Sequence, residues 1–506
     1  MDFCRAITFL SLLCLLAGSA QSRDYKAGIL ATEDEALVDA LNTQLQGAGY
    51  STVLLAPSDL SDLSDLSDCD VLVLSDSSSL PAKSTQSIEA YLKAGGDIIA
   101  LNAPLWQRAL IHIGDRWITR EDFQRENAGK LPEHVVFDFK DISGWQRGSN
   151  SMEEPVSAET VADGPISGER ALHVLISNLT SYDTFRSPDL QNPFPKGHTL
   201  TVFSAKGDER TTQLAVEWAE KDGSRWIATV ALTPEWRQYV LTPDDFTYWI
   251  SIPNRGGRGD HLHPENAASM SIGLAHTHTT TIGSGRFEYW VGPFGTSAMT
   301  PELQEYLSAT VPPALDTLSP GYKFLDCSDV RSLKTRTDQA IVGQADFPIP
   351  AVVRSSHPRP RGAGFDKGRD WRWIPLIEAR TSAGEWRGTP VTMMVHASGP
   401  YKGGVWASFG IGDMDWYKSP AVLSMIGQIA GRMRHGVLLL EGGTRHYTYF
   451  EDQTVSGGAR IVNLSPERRT DSRVTIQLNR PGTSWFMSAG TVLDLKPGES
   501  MAYADT

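Results

Sequence analysis

Ala94-Gly-Gly-Asp-Ile-Ile-Ala-Leu-Asn102 and Gly403-Gly-Val-Trp-Ala-Ser-Phe-Gly-Ile-Gly412 decide how this chain is read. Each is a glycine pair followed by a short, nearly uninterrupted apolar run. That pattern marks a strand buried on both faces of a parallel sheet. The two stretches stand far apart in a chain of 506 residues. Around the first, strands are expected at Lys26–Leu30, Ser51–Ala56, Asp70–Ser75 and Asp97–Leu101. Between them, Ala36, Leu37, Ala40, Leu41 and Leu45 recur at helical spacing, and Thr85–Lys93 reads as a second helix. Around the second, Trp373–Glu378, Val391–His396 and Gly404–Gly410 read as strands and Ser419–Arg434 as a helix. This alternation predicts a doubly wound parallel sheet. Neither end has enough strands to close a core alone, so residues 24–110 and 370–440 are expected to share one sheet.

The texture changes between the two halves. From Val135 helical periodicity disappears, and β-branched and aromatic residues alternate with Gly, Asp, Asn and Pro. Ala171–Ile176, Thr199–Ala205, Thr212–Trp218, Trp226–Ala231, Arg237–Leu241, Ser269–Leu274 and Phe287–Val291 are strand candidates. Many short strands at this spacing predict a β-sandwich over 135–297. Pro301–Thr310 reads as a helix with proline in its first turn, and Arg354–Gly362 as a basic, proline-rich exposed loop. After His446 the chain is β-rich again, which suits a small immunoglobulin-like β-domain over 446–506. The expected architecture is multidomain, α/β plus all-β. The α/β domain is split over 24–125 and 300–445 by the inserted sandwich.

Composition excludes some functions. The formal net charge is −14 and no basic stripe is visible, so a nucleic-acid partner is not expected. Arg5 precedes an apolar run from Ala6 to Ala17, and Gly18, Ser19, Ala20 and Ser22 follow. This reads as a signal peptide over 1–22, too short to span a bilayer. A secreted or periplasmic location is expected, with no membrane partner. Cys69 and Cys327 remain after that segment; they read as two buried thiols, with a single bridge as the alternative. The repeat Ser58–Asp68 places a leucine every third residue, fit to line one side of a short helix. It lacks the glycine and glutamate of a calcium loop, so no cofactor is expected; a structural calcium elsewhere stays open.

The stretches 94–102 and 403–417 resemble the glutamine-amidotransferase-like, flavodoxin-like domain that accompanies many glycosidases, notably the β-galactosidase trimerisation domain. Ala205-Lys-Gly-Asp208, Val216-Glu-Trp218, Thr233-Pro-Glu-Trp236 and Gly273-Leu-Ala-His-Thr277 are similar to galactose-binding-like carbohydrate-binding modules. Phe450-Glu-Asp-Gln-Thr-Val455 and Ala459-Arg-Ile-Val-Asn463 resemble the C-terminal β-domains of large glycosidases. The resemblance implies a carbohydrate-active accessory protein with a polysaccharide or oligosaccharide partner, and leaves a homo-oligomer open. An amidotransferase of this kind would carry a cysteine on the turn after Asp97–Leu101. Here the turn reads Asn102-Ala-Pro104, so glutaminase chemistry is not expected.

Two site readings follow. Two alternatives to a binding protein stand: a structural assembly module, and a glycoside hydrolase with its acids at the α/β–sandwich junction, which needs two carboxyl groups about 5–10 Å apart. Asp413 and Asp415, at the end of a strand, with Glu378, are the candidates. They would share a side if strand geometry persists; otherwise they cap the next helix. The pairs His261/His263 and His276/His278 have a strand-ligand spacing but no carboxylate to complete a metal set, so loop histidines are expected.

For a glycan, stacking rings are required. The middle region holds Trp145, Tyr182, Trp218, Trp226, Trp236, Tyr239, Tyr248, Trp249, Tyr289 and Trp290. Most such rings are core. Alternation in Tyr248-Trp249 and Tyr289-Trp290 sends one ring of each pair outward. Trp236, Tyr248 and Trp249 lie beside loops and lead the list. Arg255 and Asp260 are the candidate partners for sugar hydroxyls.

Overall fold

The structure, a computed structural model, describes residues 23–249, 252–309, 324–356, 370–446, 448–450, 452–479 and 486–505. The expected signal segment 1–22 and positions 357–362 of the expected basic loop lie outside them; the start of that loop, Arg354–Ser356, is instead a strand paired with Phe324–Asp326, with Ser355 and Ser356 buried. The chain divides into two compact units, Met1–Ala109 with Val311–Thr506, and Leu110–Thr310.

The first unit is built on a nine-stranded sheet that draws strands from both ends of the chain. Tyr50–Leu55, Tyr25–Leu30, Val71–Leu74, Asp97–Ala100 and Val405–Phe409 run in that order, and all neighbours are parallel. Trp406 pairs with Ile98 and Ala407 with Ile99, which joins the two glycine-led stretches side by side. The rest of the sheet is antiparallel. Trp386–His396, Trp371–Arg380, Ser332–Thr335 and Asp346–Phe347 continue it through hairpin-like pairings. The sheet is therefore mixed, not wholly parallel.

Both faces of the parallel part are covered. Helices Glu35–Gly47 and Pro420–His435 bury Leu37, Leu41, Leu45, Met425, Ile426 and Ile429 against one face. Thr85–Lys93 buries Ile88, Tyr91 and Leu92 against the other, with Leu60 and Leu66 of the Ser58–Asp68 repeat. Leu63 of that repeat points to solvent, because the segment breaks into two short helices, Asp59–Ser61 and Leu63–Ser67, instead of one. Cys69 is buried and Cys327 half-buried, both as free thiols.

Helix Pro420–His435 stops at Gly436, whose φ of 75° is left-handed. A Cβ there would meet the Ser465 nitrogen at 2.4 Å. The chain then enters a small β-domain. Val437–Thr444, Gly457–Asn463 and Ser500–Asp505 form one sheet, and Arg469–Asn479 pairs with Phe486–Leu495.

The second unit is a β-sandwich. One sheet runs Val156–Val161, Ala171–Leu179, Gly285–Ala298, His198–Gly207, Arg237–Leu241, with His134–Phe137 added at Gly285–Ala298. The other runs Thr247–Tyr248, Arg225–Ala231, Gln213–Glu220, Ala267–Ala275, Tyr182–Arg186, Gln146–Ser149. Their inner faces meet over Val174, Phe203, Val216, Trp218, Trp226, Met270, Tyr289 and Phe294. Helices Arg120–Glu126 and Pro301–Ser308 belong to this unit, although the sequence texture places them with the α/β part. Phe123 stacks on Tyr306 at 4.9 Å, and Arg120 donates to the Tyr306 carbonyl at 2.9 Å. These contacts join the two helices to each other, Gln124 Nε2 donates to the Gln238 carbonyl of the sheet at 3.3 Å, and composition carries no trace of this. Among the described residues no helix is long and apolar enough to cross a membrane.

Candidate functional site

The outer face of the sheet that runs from Thr247–Tyr248 to Gln146–Ser149 is a polar surface built by strand alternation. In Gln213–Glu220, Leu214, Val216 and Trp218 point into the core, so Ala215, Glu217 and Ala219 face out. Register then aligns outward residues across the sheet. Thr247 pairs with Ile227, Ile227 with Glu217, Glu217 with Ser271, Ser271 with Arg186 and Arg186 with Gln146. One row thus crosses all six strands. The neighbouring row is Thr229, Ala215, Gly273, Thr184 and Gly148. These side chains are small, so the row forms a trough. Gly273 is required there, because a Cβ would meet the Asp183 carbonyl at 2.3 Å.

A cavity of about 470 Å³ lies on this face. Thr184, Arg186, Glu217, Arg225, Ser269 and Ser271 are among its walls. Arg225 Nε donates to Glu217 Oε1 at 2.8 Å, with a second bond from Nη2 to Oε2. That hydrogen bond holds the Arg225 pKa above its ordinary value, against partial burial. Arg186 Nε donates to Ser269 Oγ at 3.2 Å. On the same face, outside the cavity's lining, stands Trp249, 45% exposed, whose backbone N–H donates to the Arg225 carbonyl. The His278 ring meets it edge-on at 4.3 Å, and burial pushes the His278 pKa down. Tyr182, 41% exposed, is the other open ring and raises the Arg225 pKa further. Aromatic rings at the margin of a floor of hydroxyls and a paired guanidinium–carboxylate form a surface complementary to polyols.

The predicted site residues separate. Trp249 lies on this face. Tyr248, one residue earlier, turns inward and packs on Trp226 at 5.2 Å. Trp236 precedes Arg237–Leu241, an edge strand of the other sheet. Arg255 and Asp260 are not open to a ligand. Arg255 Nε donates to Asp260 at 3.0 Å, Nη1 to Glu220 at 2.9 Å and to Asp222 at 2.6 Å, and Nη2 to Glu220 at 3.0 Å. Glu220 is wholly buried. The guanidinium lies at the centre of three carboxylates. Burial favours neutral Asp222, but Ser224 and Arg255 outweigh it and hold its pKa at about 2. The Arg255–Asp260 hydrogen bond likewise lowers the Asp260 pKa.

The hydrolase candidates have other roles. The strand that precedes Asp413 ends at Phe409, so strand geometry does not carry Asp413 and Asp415 to a common side. Asp413 caps the short helix Met414–Lys418 through the Asp415 N–H at 3.1 Å. Asp415 is exposed and pairs with Lys418 at 3.0 Å. Glu378 sits two strands away in the sheet order and is held by Arg380 at 2.8 and 3.0 Å and by Arg336 at 3.5 Å. At the turn after Asp97–Ala100, Asn102 takes a left-handed φ of 59°. Its amide donates to Asp76 and Ser78, and its N–H to the Tyr417 hydroxyl at 2.8 Å. His261, His263, His276 and His278 lie in loops and turns, and among the described residues no group of His, Cys, Asp and Glu is arranged to hold a metal ion.

Trp249 and Tyr182 were the residues of this face that sequence reasoning named as candidate rings; Glu217, Arg225, Thr184, Arg186, Ser269 and Ser271 were not named as ligand groups. A charge between two apolar neighbours in Val216-Glu217-Trp218 was the available signal, since period two sends such a residue outward.

No family model and no curated protein sequence matches this chain. Solved structures match parts of it. The family 11 carbohydrate-binding module of a cellulosomal cellulase of Clostridium thermocellum is 15% identical, covering 33% of this chain and 94% of its own, with a TM-score of 0.26. An exo-β-agarase is 12% identical, covering 34% of this chain and 26% of its own, with a TM-score of 0.26. TmCBM61 in complex with β-1,4-galactotriose is 14% identical, covering 33% of this chain and 97% of its own, with a TM-score of 0.21.

Proposed function

We propose that this chain is a secreted or periplasmic glycan-binding protein whose β-sandwich unit holds an oligosaccharide or polysaccharide segment along the outer face of the sheet that runs from Thr247–Tyr248 to Gln146–Ser149. One observation carries this reading: a row of outward residues crosses all six strands beside a trough of small ones, with open Trp249 and Tyr182 at hand. Trp249 stacks on the apolar face of a sugar ring. The Glu217–Arg225 pair, Thr184, Ser269 and Ser271 exchange hydrogen bonds with hydroxyls. Arg186 adds a donor at the far side. Such a face selects an extended chain over a single sugar, because contacts are spread along it.

The nine-stranded unit acts as a non-catalytic scaffold of flavodoxin-like, amidotransferase-like type. The support is chemical. Asn102 occupies the turn where a nucleophile would stand, and its side chain is tied to Asp76 and Ser78.

A glycan array on the protein with residues 1–22 removed, followed by calorimetric titration of the best ligand, tests the reading. Binding that weakens in Trp249→Ala and Glu217→Ala is expected. Binding to no glycan, or unchanged binding in both variants, overturns it.

A further inference from the structure

The sandwich carries a second cavity, of about 210 Å³, on the outer face of its other sheet. Helix Arg120–Glu126 and the turn after it cover that face, together with the segment around Ile166–Glu169. Ser204, Pro293 and Trp236 contribute from the sheet side, and Leu131 and Ile166 supply apolar wall.

Two polar atoms in these walls are buried without a partner. They are Trp236 Nε1, a donor only, and Glu169 Oε2. Buried polar groups are nearly always hydrogen-bonded, and an unpaired one costs about 1–3 kcal/mol. A ligand that accepts from the indole and donates to the carboxylate satisfies both. Burial also raises the Glu169 pKa, with a backbone hydrogen bond from Ile166 opposing it. The indole is held in place, with Lys206 Nζ 5.1 Å from its ring centre and 5.0 Å from that of Trp290. Lys206 is itself paired to Asp163 at 2.7 Å.

We infer that this cavity is a binding site for a single sugar ring, separate from the trough, with Glu169 accepting from ring hydroxyls and Trp236 Nε1 donating to a ring oxygen. Size and charge argue for that class. The cavity is smaller than the roughly 300–1,000 Å³ of drug-sized pockets. Arg125 and Arg237 also line it, which disfavours a cationic occupant such as a lysine side chain. A polyol carries donors and acceptors on one small body and apolar C–H faces for Leu131 and Ile166.

The test uses the full chain and four probes: D-glucose, D-galactose, D-mannose and D-glucuronate. Saturation-transfer NMR detects contact, and titration gives the affinity. At least one sugar is expected to bind. Glu169→Gln keeps the shape and should weaken it about tenfold, the loss of a hydrogen bond to a charged group. Trp236→Phe keeps a ring, removes Nε1 and should weaken binding about threefold. Trp249→Ala should leave the monosaccharide affinity unchanged, which separates this site from the trough. Glu169→Gln should not lower the melting temperature at neutral pH, because it removes a charge that burial disfavours; a merely structural role for Glu169 would lower it. Failure of all four sugars to bind, wild-type affinity in both cavity variants, or loss in Trp249→Ala would each overturn the assignment.

Discussion

The nine-stranded sheet and the sandwich sheet that carries Glu217 are both built on buried apolar strands, yet only one keeps a free face. In the first, helices cover both sides of the parallel strands, and Val71–Leu74 and Val405–Phe409 are buried at every residue. In the second, side-chain direction alternates: core residues face the partner sheet, and Ser271, Thr184, Arg186 and Glu217, the last buried beneath Arg225, face out. A strand covered on both sides has no side chain left for a ligand. A strand covered on one side dedicates every second residue to chemistry. On the proposed reading, this difference assigns the α/β unit to the frame and the sandwich to glycan binding.

The largest expected effect lies where the sandwich borrows the habits of a core. Arg255→Ala strands the wholly buried Glu220 without its cation. Breaking such a pair should destabilise the sandwich by about 3–5 kcal/mol. A melt that barely moves would show that the loop around Arg255 is only a solvated surface.

The second effect belongs to the frame. His396 is buried against Trp406 at 4.1 Å, and burial alone lowers its pKa to about 3. Because the folded value is depressed, the unfolded state binds the proton first. The stability contributed by neutral His396 is complete above about pH 6.5 and is lost as pH falls from there toward 3. At pH 5 the loss should be about 2 kcal/mol. Denaturant unfolding of wild type and His396→Phe at pH 7.5 and pH 5 checks this. A wild-type loss no steeper than that of the variant would break the assignment.

The third sharpens the contrast between the two sheets. Trp249→Ala should lower glycan affinity by about 1–2 kcal/mol through lost apolar contact, yet change stability by no more than about 0.5 kcal/mol. Its neighbour in fold, Trp218, is fully buried and donates to Thr201. The reverse pattern, unchanged affinity with a collapsed melt, would make Trp249 a core ring.

The smallest concerns Asp413. As an N-cap it should cost about 1 kcal/mol of stability when replaced by alanine, and Asp413→Asn should retain most of it. Thermal melts of the two variants distinguish a cap from a residue with no local role.

Much of the frame was legible in sequence, because glycine-led apolar runs and helical spacing are local signals. The antiparallel half was not. Trp371–Arg380 and Trp386–His396 are long apolar strands, and composition does not encode the direction in which a neighbour runs. The candidate site divides similarly. Trp249 could be found from its loop and from alternation with Tyr248. The Glu217 row could not, because it exists only once six strands distant in sequence are in register. Arg255 and Asp260 looked like ligand groups for the reason that makes them structural: charge gathered in a glycine-rich loop finds its counter-charge at home.

That same loop has a consequence for where the protein can operate. A free metal ion at the centre of Glu220, Asp222 and Asp260 would leave when its concentration falls or when an acidic polymer competes for it. The guanidinium of Arg255 is tethered by its own backbone, so its local concentration is set by a covalent link and not by the medium. It also keeps its charge at any pH the fold survives. The tie at this edge of the sheet therefore does not weaken on dilution, as one made by a free ion would.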